Sequence, residues 1–183
     1  MLKDKGTILR LHPLGEHGSI VTWSTEQHGI IRTAARQARK AGSELCGIVD
    51  LFHECELVYK EARPGTGDLH TLSSASILNP RLPLRNQLSR LHLAAYMARL
   101  LLATTEQENS NESPEWHHLI TQALDYTCTA PLRPAILLHF EKRLAQLHGL
   151  YHPEAGSPHH CLLRHFQHLP SGRAELLLRL ENA

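Results

Sequence analysis

Ser19-Ile20-Val21-Thr22-Trp23-Ser24-Thr25 and Gly29-Ile30-Ile31-Arg32-Thr33-Ala34-Ala35 are two β-rich runs with the tight turn His28-Gly29 at their junction. Their closeness predicts a hairpin. Upstream, Gly6-Thr7-Ile8-Leu9-Arg10-Leu11-His12 is a third such run, ended by the turn signal Pro13-Leu14-Gly15. Downstream, a basic loop of small residues, Arg36 to Ser43, leads to an alternating run from Asp50 to Lys60. That run places Leu51, His53, Cys55, Leu57 and Tyr59 on one face. After Arg63-Pro64-Gly65-Thr66-Gly67 a fifth run, Asp68 to Ile77, closes the series. Five short strands, with a longer connection between the third and fourth, predict a small, partly closed barrel of the OB type.

From Pro83 the period becomes helical. Leu84, Leu88, Leu91, Ala95 and Leu102 predict an amphipathic helix over Arg85 to Thr104. The polar segment Thr105 to Glu112 reads as a loop. Ser113-Pro114-Glu115-Trp116 reads as a cap opening a helix through about Cys128. A further helix runs from Leu132-Arg133-Pro134 to His148, with Gly149 as its C-cap. Tyr151 to Pro158 reads as loop, Cys161 to His168 as a short helix and Arg173 to Leu180 as a last helix. The expected fold is therefore α+β: a five-stranded barrel over residues 1–80, then an all-helical domain over 81–183.

Composition narrows the function classes. The 183 residues are 42% hydrophobic and 20% charged, and 19 Lys+Arg balance 18 Asp+Glu. This is globular composition, and collagenous, mucin-like and wholly disordered classes are excluded. No apolar run approaches a membrane span, and Met1-Leu2-Lys3-Asp4-Lys5 lacks the apolar stretch of a signal peptide, so a cytosolic protein is expected. Cys46, Cys55, Cys128 and Cys161 are scattered and read as reduced thiols.

The strongest local feature is the cluster Arg32, Arg36, Arg39 and Lys40, with no acid between Gln27 and Ser43. In a chain of balanced charge it concentrates positive potential where phosphates would bind; the competing reading is a solvated loop. Arg10, Lys3 and Lys5, with Lys60 and Arg63, extend it. Trp23 and Phe52 have ring faces for base stacking, against which stands a core role in so small a barrel. Among the 15 histidines, His159, His165 and His168 with Cys161 are zinc-ligand types. One cysteine is fewer than structural zinc sites usually carry, so no metal or other cofactor is expected and scattered surface histidines remain the alternative. No GxSxG, HExxH, Walker A or GxGxxG is present, and the expectation is no catalytic site. Ser43, Cys46 and Glu141 read as a turn residue, a core thiol and a helix-face charge. Trp116-His117-His118 has no nucleophile or carboxylate around it in sequence.

The order of Ile8-Leu9-Arg10, Gly15-Glu16, Ile20-Val21-Thr22, Thr25-Glu26-Gln27-His28-Gly29 and Ala35-Arg36-Gln37-Ala38-Arg39 resembles the bacterial recombination-mediator RecO family. Phe140-Glu141-Lys142-Arg143-Leu144 and Leu147-His148-Gly149-Leu150 extend the likeness over most of residues 1–150. The resemblance implies an OB-fold followed by a helical domain, binding of single- and double-stranded DNA, strand annealing, and loading of recombinase with RecR and single-stranded-DNA-binding protein. It implies DNA contact through Arg10, Arg32, Arg36 and Arg39. Two departures stand out. The Gly usual in the basic run is Gln37, and the stretch after Gly149 lacks the four zinc-binding cysteines of many members, so a lost or reduced finger is expected.

The expectation is a non-enzymatic DNA-repair accessory protein. A groove flanked by Arg133, Lys142 and Arg143 is expected to take the acidic, apolar tail of a single-stranded-DNA-binding protein, a reading from charge and helix position. The rival is a protein-interaction adaptor whose barrel does not touch DNA, which the near-zero net charge favours and the clustered arginines oppose.

Overall fold

The structure is a computed structural model, describing residues 1–63, 65, 67–108, 113–152, 154 and 156–182. Of the segments read above, Pro64 and Thr66, Asn109 to Glu112, and Pro153 and Ala155 lie outside the described residues. The chain divides into two compact units. One is Met1–Arg81 with the start of the second helix up to His118; the other is the rest of the helical region from Leu82.

The first unit is a closed barrel in the order β1-β2-β3-β5-β4, built from β1 (Leu2–Leu14), β2 (Gly18–Thr25), β3 (Gly29–Ala35), β4 (Glu54–Lys60) and β5 (Leu69–Asn79). Its meander β1-β2-β3 is antiparallel, and closure comes from a short parallel pairing of Arg32 to Ala34 with Leu69 to Thr71. This is the five-stranded OB-type barrel expected from the sequence. Ile8, Val21, Trp23, Ile31, Cys55, Leu57, Tyr59 and Leu72 fill its interior.

Two strands differ from their sequence reading. β1 begins at Leu2, because Lys3 and Lys5 point outward to Glu56 and Glu54 at 3.0 and 3.3 Å while Asp4 is buried. β4 begins only at Glu54. The chain before it turns through Phe52, whose φ of 67° is left-handed, so the alternation does not extend back to Asp50, and Phe52 is itself buried. Arg81 holds this turn. Its guanidinium, 1% exposed, donates to the Phe52 carbonyl at 2.9 Å, Thr7 Oγ1 at 3.2 Å and Glu54 Oε2 at 3.3 Å.

The helical elements are α1 (Leu88–Glu108), α2 (Glu115–Thr129), α3 (Pro134–Leu147), α4 (Pro158–His165) and α5 (Arg173–Glu181). Residues Leu82–Arg85 form a separate 3-10 turn, so α1 starts three residues later than expected. It also ends later. Thr105 to Glu108 continue the helix, contrary to the loop reading, because Thr104 and Thr105 hydroxyls donate back to carbonyls of Leu100 to Leu102 and so lose their cost on burial. The single apolar stripe was also incomplete. Leu88 is 59% exposed, whereas Leu93, Ala94, Tyr96, Met97, Ala98 and Leu100 to Leu102 are all buried, as in a helix covered on several sides by α3, α5 and the 3-10 turn. Ser113 Oγ accepts the Glu115 N–H at 3.3 Å at the start of α2, and Gly149 (φ 68°) follows the end of α3 as the left-handed cap residue. α4 starts at Pro158, capped by Ser157, which accepts the His160 N–H. Among the described residues no helix is long and apolar enough to cross a membrane.

Candidate nucleic-acid interface

β2 runs through the barrel wall with Val21 and Trp23 inward and Thr22 outward. Register places Arg10 of β1 and Arg32 of β3 on either side of Thr22, so the three side chains form one row across the outer face. Arg10 reaches that face because of a bulge. Up to Ile8 the inward residues of β1 are even-numbered; the extra residue Leu9 shifts the register between Ile8 and Arg10 and returns Leu11 to the core. Without it the alternation would aim Arg10 inward. Arg32 lies 3.7 Å from Asp68, an exposed pair that leaves its charge largely available to solvent.

The basic loop continues from the end of β3, and it packs on the β1–β2 turn. The Arg39 backbone N–H donates to the His17 carbonyl at 2.9 Å, its Nε to Gly18 at 3.0 Å and its Nη2 to Gly15 at 2.7 Å. Gly18 permits this approach: a Cβ there would lie 2.6 Å from the Leu14 carbonyl oxygen and 3.2 Å from that of Arg36. Ser43 closes the loop, donating to the Gln37 carbonyl at 2.6 Å, as the turn reading expected. Arg36 and Lys40 are left exposed beside the turn. Arg39 is thus a brace as well as a charge, a role that composition does not reveal. Arg32 lies in mid-strand and Arg36 four residues further along the same segment, so the Arg36–Lys40 loop follows the Arg10–Arg32 row at roughly 13 Å along the meander.

Other assignments fall differently. Lys3 and Lys5 lie on the stretch of β1 that pairs with β4, where they face Glu56 and Glu54, and not in the Arg10–Thr22–Arg32 row. Trp23 and Phe52 are 0% and 1% exposed, so both are core and neither stacks on a base; Trp23 Nε1 donates to Thr33 Oγ1 at 2.8 Å. Cys46 is exposed, not a core thiol, because the loop that carries it runs over the surface. Glu141 is 1% exposed, not a helix-face charge, because Arg173 Nε and Nη2 grip its two oxygens at 2.6 and 2.8 Å. That pair raises the Arg173 pKa, chiefly through the hydrogen bonds to Glu141.

Of the zinc-ligand types, His159 Nδ1 lies 3.2 Å from Glu141 and His165 Nε2 lies 2.9 Å from Glu108. They face different carboxylates, and among the described residues no three His, Cys, Asp or Glu side chains converge as metal ligands. Glu108 also accepts from His148 Nδ1 at 2.6 Å. Burial lowers the pKa of His148 and of His159, each opposed by its carboxylate, and burial likewise lowers that of His117, whose Nδ1 lies 2.7 Å from the Ser24 carbonyl. Of the residues expected to bind a partner, Arg133 occupies the N-cap of α3, while Lys142 and Arg143 lie exposed nine and ten residues further along. Lys142 Nζ sits 5.5 Å from the Tyr151 ring and Arg143 donates to Gln146 at 3.2 Å.

Residues 1–81 match the family described as Recombination protein O N terminal. Among curated proteins the chain is similar to the DNA repair protein RecO of Bacillus pumilus, 30% identical over 161 residues covering 88% of this chain and 60% of the relative. It is 30% identical to that of Acidithiobacillus ferrooxidans, covering 87% and 63%, and 37% identical to that of a Cyanothece strain over a shorter stretch, covering 57% and 35%. The chain thus spans about three fifths of the length of the first two of these relatives.

Proposed function

Since this chain belongs to the RecO family of DNA repair proteins, we propose that it binds single- and double-stranded DNA through the outer face of its barrel and promotes the annealing of complementary strands. The observation that carries this reading is the succession of two cationic features, the in-register Arg10–Arg32 row and the loop bearing Arg36 and Lys40, along the β1-β2-β3 meander of an OB-type barrel. In this fold the strand 2–3 face and the loop after the first strand are the usual oligonucleotide surface. Cations fixed on such a wall replace the counterions of a phosphate chain, and the released ions drive binding. A strand so held is concentrated and its self-repulsion reduced, which favours encounter with its complement.

The same reading makes the protein a non-enzymatic accessory in the cytoplasm that helps load recombinase together with RecR and single-stranded-DNA-binding protein. Exposed Arg133, Lys142 and Arg143 on the helical unit offer charge to that protein's acidic tail.

Binding of a labelled single strand at several salt concentrations, with annealing of its complement followed in parallel, tests the proposal. Arg36→Glu with Lys40→Glu leaves the Arg39 brace intact and is expected to weaken binding for every sequence. It should flatten the plot of log affinity against log salt by roughly 0.7 for each phosphate that is no longer neutralised. Unchanged affinity and slope would remove the barrel loop from the DNA site.

A further inference from the structure

We infer that two copies of the chain join through the open edge of β5, strand to strand and antiparallel, as a weak homodimer. The closing seam with β3 reaches only from Leu69 to Thr71. From Ser73 to Leu78 the strand has β4 on one side. On its other side, among the described residues, there is neither a partner strand nor a backbone hydrogen bond from a loop. Alternate residues of such a strand aim their N–H and C=O groups away from the sheet, and what satisfies them in register is another extended backbone. Folded proteins blunt an edge of this kind with charge, proline, a bulge or a covering segment. Ser73-Ser74-Ala75-Ser76-Ile77-Leu78 has no charge and no proline, and Ile77 and Leu78 are 39% and 51% exposed. The register with β4 shifts only near the two ends of this run, so Ser74 to Ile77 is regular.

The edge fits a second copy of itself. A two-fold axis normal to the sheet at Ser76 sets that residue opposite its own mate, Ala75 opposite the partner's Ile77, and Ser74 opposite the partner's Leu78. Ala75 and Ile77 both lie on the core side of β5, across from Leu57 and Cys55 of β4, so the axis keeps like faces together. Each exposed apolar side chain then covers a small one, and no charge meets a like charge. A contact along one strand edge is small beside the roughly 1,200 Å² of a stable interface, so the pair comes apart on dilution. Two copies carry two Arg10–Arg32 rows, and on the DNA-binding reading one assembly holds two strands.

Sedimentation equilibrium of the whole chain at rising concentration is expected to give a mass that climbs from one chain toward two and no further. Ser76→Lys sets like charges against each other at the axis on an exposed residue, and should hold the chain at one copy throughout with its melting midpoint unchanged. Mild oxidation of Ser76→Cys is expected to crosslink two copies well above the wild-type background from exposed Cys46, since residues facing across an antiparallel pair lie within disulfide reach. Ser74→Cys should stay at that background, because its mate lies four residues along, about 14 Å away. A chain that remains a single copy at every concentration would overturn the inference and leave the edge to an extended segment of another protein. So would a dimer that persists in Ser76→Lys, or one in which Ser74→Cys crosslinks as readily as Ser76→Cys.

Discussion

In the barrel unit the buried charges fasten loops onto a sheet that is already bonded strand to strand. Asp4 accepts the Lys5 and Gln27 backbone N–H groups and lies 2.6 Å from His28 Nδ1 in the β2–β3 turn, while Arg81 closes on Thr7, Phe52 and Glu54. In the helical unit no main-chain ladder joins one helix to the next. Glu141 on α3 is gripped by Arg173 of α5 and approached by His159 of α4, and Glu108 of α1 takes His148 beyond α3 and His165 of α4. The difference teaches where each unit is vulnerable: the barrel through side-chain packing and turn geometry, the helical unit through a few charged ties.

Removing one partner of such a tie should have the largest effect. Arg173→Met leaves Glu141 buried with only His159 beside it and should cost about 3–5 kcal/mol in denaturant unfolding. A loss below about 1 kcal/mol would show that helix packing alone holds the seam.

Acidification should sharpen the contrast. The folded pKa values of His117, His148 and His159 are lowered by burial, so the unfolded chain takes up their protons first as pH falls. Their stability contribution is fully present above about 6.5 and is lost as pH falls through the folded values, by up to about 1.4 kcal/mol per pH unit for each group. Two of the three lie in the helical unit, whose amide protons should therefore be the first to lose protection, measured against the intrinsic exchange rate at each pH, on lowering the pH from 7 to 5. Simultaneous loss in both units would erase the distinction.

Gly18→Ala probes the barrel instead. The added methyl meets backbone carbonyls rather than movable side chains, and about 1–3 kcal/mol of destabilisation is expected, with the Arg36–Lys40 loop displaced and DNA affinity reduced. Wild-type melting with wild-type binding would show that the β1–β2 turn and the basic loop are independent. The smallest effect should come from Arg179→Ala, which removes an exposed pair to Glu175 four residues earlier on α5 and should leave the thermal unfolding midpoint unchanged.

The same contrast explains what the residue order conveyed. β2 and β3 were legible because Val21, Trp23, Ile31 and Ala35 alternate with outward residues and turn signals bound them. The ends of β1 and β4 were not, since a buried Asp4 and a left-handed Phe52 depend on His28 and Arg81, 24 and 29 residues away. The continuation of α1 through Glu108 was hidden for the same reason: its partners His148 and His165 are 40 and 57 residues distant. At the candidate site the basic run was visible from charge alone. That Arg39 is spent partly on the β1–β2 turn, and that Leu9 is the bulge that turns Arg10 outward, follow only from register and hydrogen bonds.

The barrel is closed by the parallel pairing of β3 with β5 over just three residue pairs, between segments more than thirty residues apart in the chain. The hairpins of the meander have short loops to close and can form early, whereas this seam must await the whole of β4 and β5. Until it does, β3 presents an open row of N–H and C=O groups, a template on which another chain can add a strand. Newly made copies are therefore most prone to self-association in the interval before the last seam shuts, and conditions that slow β5 docking should lower the yield of monomer more than they lower its final stability.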